Sequence, residues 1–439
     1  MRFVVLSVAL ALASPALARD PIPVLTLTSD DAALAMAPVT APDGRVWTYT
    51  LGIGSGAFRH RSDPPNQVWT VGDRGPNMTC GEAARLLGAW SRPACDAVRA
   101  GRYYPTPDYS PAIYRVVLDE ASGRFRLAET IPLRTRSGNP VLGLLNPQTA
   151  ATRDTALDLA GRTLAYSPNH VDVEALVRLA DGSFWIAEEM GPSLAKVTPD
   201  GRITTRLVPI DAGGDYRGAD MDIVPILPAL LSRRQGNRGF ESLAITPDER
   251  FLVTIVQNPL ANPDAAAFRR ARNSRILKID LASFAVVGEW IYQLDDPRTF
   301  ALDPSDDQSD PRVSEMIALG GDRFLVLERT EGTTKLHEIS LDGATDISGH
   351  RFGHPDTRPT LEQENHLGPH GLVPVRKTLR FDTARDARDA PTKIEGMTFL
   401  GDGALMLIND NDFGIRGDAT RVLVTRGVVR ADEAVWRAR

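Results

Sequence analysis

One pattern recurs along this 439-residue chain and constrains its fold more than anything else. It is an acid-led strand, a turn, a second apolar strand ending in an acid or amide, then two further strands. At 173–210 it reads VEALVRLADGSFWIAEEMGP, SLAKVTPDG and ITTRLVPI; copies follow at 240–294, 314–382 and 394–429, and a diverged one precedes them at 54–133. A four-stranded unit repeated in this way buries its faces only against its neighbours, which predicts an all-β fold, a single β-propeller. Five modules are countable, and 134–170 has room for a sixth. The copy nearest the C-terminus lacks a fourth strand, while an apolar stretch at 22–28 stands alone. That stretch is predicted to complete the last blade, closing the ring and covering a strand edge. A β-sandwich accommodates the same strands, but it does not explain why acids return at matching module positions. Helical periodicity is best at 82–90, 225–233 and 263–272.

Residues 1–18, MRFVVLSVALALASPALA, combine a cation at Arg2, an apolar run and small residues at 16 and 18. This is the pattern of a secretory signal peptide cleaved after Ala18. The run is too short to span a bilayer, and no later segment reaches the roughly 18 apolar residues that spanning takes. The mature chain, 19–439, is therefore expected to be exported, most simply to a bacterial periplasm, with no stable membrane insertion. Lys and Arg total 50 against 56 Asp and Glu, a net charge of -6, which leaves no broad basic surface for a nucleic-acid partner. In an oxidising compartment the two cysteines, Cys80 and Cys95, are expected to pair. The bond would staple an insertion at 76–110 and stabilise it by roughly 3 kcal/mol.

Superimposing the first strands aligns Glu174, Glu241, Glu315 and Glu395, with Ser55 in the diverged copy. Superimposing the ends of the second strands aligns Asp73, Glu189, Gln257, Glu328 and Asp410. The intervals between the two columns are 15, 16, 13 and 15 residues in the four later modules. First strands line a propeller's channel, so these positions are expected to converge on a ring. Neighbouring carboxylates raise one another's pKa unless a cation compensates them, and an oxygen-only ligand set favours Ca2+ or Mg2+ over Zn2+. Arg74 and Arg329 directly follow ring acids, and Arg238 and Lys393 precede others, which adds a bidentate grip for an anionic group. Mere turn caps would exchange Asp, Asn and Ser freely; four first strands use Glu.

Other candidates carry less. DAGGDYRGADMD offers Asp211, Asp215, Asp220 and Asp222 at spacings that do not match a calcium loop. A Pro/Gly/His-rich excursion at 350–373 holds His354, His366 and His370; Gly368-Pro369 argues against a helical metal pair, so an exposed loop is expected, with a place over the channel mouth open to it. There is no G-x-S-x-G elbow, P-loop, dinucleotide fingerprint or cysteine cluster, which removes the support for a serine-triad hydrolase or a cofactor-dependent oxidoreductase.

Taken together, GDRGPN (72–77), DGSFWIAEEMGP (181–192), NRGFESLAITPDERFL (237–252), KIEGMTFL (393–400) and NDNDFG (409–414) closely resemble the exported phytase-like proteins. The resemblance covers nearly all of the mature chain. It implies a propeller with a polar, calcium-linked channel site and esterase-like activity on phosphate esters or other esters. The motifs of propeller phytases do not map onto this chain residue by residue, so phytate is not implied as the substrate.

The functional expectation is a metal-assisted hydrolase of a small anionic or ester substrate. Glu174, Glu189, Glu241, Glu395 and Asp410 would hold a divalent cation, Ca2+ first among the choices. Asp73 would be a further ligand or a general base, and Arg74 and Arg238 would stabilise developing negative charge. Two alternatives stay open: a non-catalytic binding propeller with a structural calcium ion, and a calcium-dependent lactonase.

Overall fold

The second strands of the modules, QVWTV, FWIAE, FLVTI, RFLVLER and LMLIN, are apolar with little alternation, as strands covered on both faces are. In the computed structural model, which describes residues 22–98, 100–146 and 154–437, each lies second in its own sheet. The proposed leader, 1–18, lies outside the described residues. The first sheet runs Gly56–Phe58, Gln67–Val71, Ala112–Asp119 and Arg124–Pro132. The second begins with Val173–Arg178 and Phe184–Glu188, the third with Ala244–Ile245 and Phe251–Ile255, and the fourth with Arg312–Gly320 and Arg323–Arg329. The fifth runs Ile394–Phe399, Leu405–Asn409 and Val422–Thr425 and ends on Val24–Leu27. That last pairing is antiparallel, from Val24 opposite Thr425 to Leu27 opposite Val422, so the N-terminal strand completes the ring as expected.

Five apolar clusters hold the sheets together, one between each pair of neighbours. Val71 and Ile113 meet Val173 and Ile186 between the first and second sheets, and Val177 and Trp185 meet Phe240 and Leu252 between the second and third. Ile255 and Tyr292 meet Met316 and Val326, Leu325 and Leu327 meet Met397 and Leu407, and Met406 and Val424 return to Ile53 and Val68 of the first sheet. The sequence of contacts closes on itself. The molecule is a five-bladed β-propeller, and a two-layer sandwich has no place for the fifth interface. The innermost strands approach so closely that a Cβ on Gly56 would lie 2.6 Å from the Glu174 carbonyl oxygen.

Four expectations are corrected. The stretch 134–170 forms no blade among the described residues; Thr155–Leu157 instead pairs in parallel with Gly101–Tyr103, adding an edge to the insertion's own sheet. The second sheet has a fifth strand, Asp222–Leu227, parallel to Ile203–Pro209, and it takes up the start of the helix expected at 225–233. The helix expected at 263–272 is only Ala265–Phe268, and that at 82–90 is Cys80–Leu86 followed by a 3-10 turn. In the Asp-rich segment that leads into the extra strand, Asp220 accepts from Ser137, and Asp222, the strand's first residue, pairs with Arg136. The excursion 350–373 is laid against the outer strand of the third sheet, where Phe352, Leu361, Leu367 and Leu372 bury beside Ile291. Arg275 reaches from that sheet to Glu289 at 2.5 Å and to Glu362 of the excursion at 3.3 Å. None of its residues lines the channel mouth.

The channel is asymmetric. At the exit ends of the inner strands, Phe58, Ile245, Ile317 and Phe399 surround a cavity of only about 40 Å³, which Ala434 and Val435 also line. Arg59 and Arg61 hold this C-terminal turn by donating to the carbonyls of Trp436 (2.8 Å) and Ala434 (3.1 Å). The polar residues collect at the opposite end.

Candidate active site

The inner strands of the four later sheets carry an extra residue where they enter the ring. Val173 faces Glu188 and Ala175 faces Ala187, which leaves Glu174 as the extra residue; Glu395 is extra in the same way between Ile394 and Gly396. In the third sheet Phe240 bridges Val256 while Ala244 faces Val253, a surplus of one residue within 241–243, the stretch that holds Glu241. A bulge turns its extra side chain away from the regular alternation, and here that direction is the channel. In the fourth sheet Val313 faces Glu328 and Glu315 faces Leu327, so the extra residue is Ser314. By the same register Arg329, opposite Arg312, takes the place that Glu189 and Asp410 hold elsewhere. Both fourth-module acids expected in the ring are therefore one residue out of register.

The displaced acids have other partners. Glu315 is fully buried at the axis, where its carboxylate accepts from Ala57 N at 3.2 Å, Leu243 N at 3.5 Å and Met316 N at 2.9 Å. Burial pushes this carboxyl well above the ordinary range, against the pull of those three N–H groups. Glu328 accepts from Tyr292 and Lys377, both at 2.6 Å, between the third and fourth sheets.

All eight expected site residues, Asp73, Arg74, Glu174, Glu189, Arg238, Glu241, Glu395 and Asp410, line one cavity of about 470 Å³. Within it, the acids divide by their partners. Glu241 accepts from Ser314 Oγ at 2.6 Å and from Gln257, Glu395 pairs with Arg329, and Asp410 pairs with Lys393 at 2.6 Å. Lys393 also bonds Asp412 at 2.5 Å. Burial pushes Glu395 up to about 8 even though Arg329 and Lys393 oppose the shift. Asp73 and Glu174 form a different group with Asp172, a residue the sequence reading missed. Their ligand oxygens lie within 4.8 Å of one another. Burial first, then the charges of neighbouring carboxylates, pushes Asp73 and Glu174 well above the usual carboxylate range. Glu189 is raised in the same way, burial first and Glu241 the charge that repels it most, and its buried Oε1 has no hydrogen-bond partner among the described residues.

An all-oxygen triad of this kind fits a hard divalent cation. The neighbouring base is already placed: the Arg74 N–H donates to Asp172 Oδ1 at 3.2 Å, its guanidinium lies 3.4 Å from Oδ2, and its other arm bonds Asn237. Backbone strain gathers here as well. Asn237, Lys393, Asp412 and Phe413 adopt left-handed conformations with φ between 47° and 56°, which non-glycine residues keep only when surrounding structure holds them.

The insertion supplies one wall, with Asn77, Thr79, Glu82 and Arg102 facing the cavity. Thr79 and Glu82 form a reciprocal cap on the helix Cys80–Leu86, and Glu82 also pairs with Arg416 from the fifth sheet's loop. Cys80 and Cys95 are joined by a disulfide. Replacing both by serine is expected to weaken the wall locally, by about 3 kcal/mol. Hydrogen exchange should show faster exchange in the insertion with the five sheets still protected; unchanged exchange there would contradict this.

A family model described as phytase-like, esterase-like activity of phytase, matches residues 85–413, most of the chain. The chain belongs to the phytase-like family. This phytase-like chain is 27% identical over 176 residues to a protein described as an uncharacterized secreted protein from Arthroderma benhamiae. The alignment covers 36% of this chain and 34% of that relative, so the chain spans about a third of the relative's length. Among solved structures, the phytase-like propeller is similar to regucalcin, a calcium-binding protein of Agrobacterium tumefaciens. The identity is 10%, with 88% of this chain and 98% of that one covered at a TM-score of 0.31. A luciferin-regenerating enzyme is 9% identical, with 92% and 100% covered and a TM-score of 0.33.

Proposed function

We propose that this phytase-like propeller is an exported, metal-assisted hydrolase of a small anionic ester, with its reaction centre at the acid group of the channel. One observation carries the reading: Asp73, Asp172 and Glu174 converge within 4.8 Å, with Asp172 buried behind Asp73 and Glu174, which line a cavity whose other walls hold arginines. Those three carboxylates would hold a divalent cation, Ca2+ by the hardness of the donors; bound there, it would supply Lewis acidity toward an ester oxygen and toward water. Glu189 is the residue to carry a proton at Oε1, since burial and Glu241 favour its neutral form. Arg74, fixed by Asp172 and Asn237, offers charge to an oxygen that becomes negative. Glu241, Glu395 and Asp410, each engaged by the chain's own donors, hold those donors in place.

The arginine content of the cavity favours an anionic ester, a phosphate ester foremost, over a neutral sugar lactone. Export is supported by the leader-like 1–18, the disulfide, and the description of the Arthroderma relative as secreted. A periplasmic location is the simplest form of it. No helix among the described residues is long and apolar enough to cross a membrane.

The test is turnover of nitrophenyl phosphate, nitrophenyl acetate and phytate by the purified protein, with and without chelator. The expected result is hydrolysis of an anionic ester, abolished by chelation and restored by Ca2+. No turnover of any of the three at full metal occupancy would favour a binding propeller instead.

A further inference from the structure

We infer that the side of the cavity built by Arg238 and Arg312 is an oxyanion-binding subsite, distinct from the acid group, that takes a phosphate or carboxylate of the ligand. It deepens the hydrolase reading, and only its assignment to a substrate rests on that reading.

Positive charge on this side of the cavity is only loosely compensated. Arg329 is satisfied by Glu395 and Ser314, and Lys393 by Asp410 and Asp412. Arg238 and Arg312 are held more loosely. Their ion pairs, with Glu189 at 3.9 Å and with the half-exposed Glu331 at 3.7 Å, are both beyond hydrogen-bonding reach, and Arg238 otherwise donates to the Asn237 carbonyl at 2.5 Å. Arg312 Nε is buried with no hydrogen-bond partner among the described residues. Burial, with Arg329 and Arg238 close by, pulls the Arg312 guanidinium down to about 10. Two guanidinium groups that repel one another at a cavity wall are relieved by an anion, which each can grip with paired N–H donors. The repeat places Arg312 there: it faces Arg329 as Asp172 faces Glu189 in the second sheet, so one column of the repeat supplies a cation ligand on one side and an anion ligand on the other.

The experiment is calorimetric titration of inorganic phosphate, and separately of succinate, into the full mature chain with chelator present throughout. Phosphate is expected to bind at one site per chain, and Arg312→Gln and Arg238→Gln are each expected to weaken it about tenfold or more. Lys278→Ala, on the outside of the third sheet, should bind as the parent does. Tighter binding of succinate than of phosphate would assign the subsite to carboxylates. Arg238 is partly exposed, so its variant reports even if Arg312→Gln does not fold. Phosphate and succinate binding that is absent, or equal in parent and both variants, would overturn the subsite. Because no metal or turnover enters, ester hydrolysis with no oxyanion binding would sink the subsite alone. Oxyanion binding without hydrolysis would sink only the reaction.

Discussion

Glu315→Ala is expected to destabilise the propeller by about 4 kcal/mol, read from the denaturant midpoint at unchanged slope. The carboxylate is shared by backbone N–H groups of three different blades, at Ala57, Leu243 and Met316. Truncation leaves those donors in a dry centre and opens a void among packed strands, and an orphaned buried donor costs about 1–3 kcal/mol. Glu315→Gln keeps one acceptor oxygen but turns an NH2 toward the same donors, so about half the loss is expected. An alanine variant within about 0.5 kcal/mol of the parent, the range of an ordinary surface change, would show that the blades do not depend on this shared acceptor.

Asp172→Asn is expected to lower Ca2+ affinity and chelator-sensitive turnover by about 100-fold. It removes one charge of the triad and also loosens Arg74, whose backbone and side chain both meet Asp172. Asp410→Asn provides the contrast, since Lys393 already occupies that carboxylate; a change of only a few-fold in Ca2+ affinity is expected. Calorimetry on folded variants measures both. If Asp410→Asn abolishes Ca2+ binding while Asp172→Asn leaves it intact, the cation belongs on the other side of the ring.

The blades were legible because strand alternation, turn residues and a repeated acid are properties of each module by itself. The closing strand was legible from a deficit in one module and a surplus elsewhere. What escaped was register. The interval from Glu315 to Glu328 is 13 residues where the other modules have 15 or 16, and pairing Ser314 with Arg329 restores 15. That irregular spacing was the available signal, overridden by the preference for aligning like charges. Asp172 escaped for a related reason. It stands in a column that also holds Gly239, Arg312 and Lys393, so a search for repeated chemistry passes over it. The extra strand Asp222–Leu227 is short, interrupted by Pro225 and continuous with an apolar run read as helical, and it becomes a strand by pairing along the edge of Ile203–Pro209.

The strand Val24–Leu27 has no partner until Val422–Thr425 exists. A ribosome makes the first of these nearly four hundred residues before the second, so the necklace stays unclasped until translation is almost over, and its two ends then fasten together. Trimming either terminus releases the same clasp.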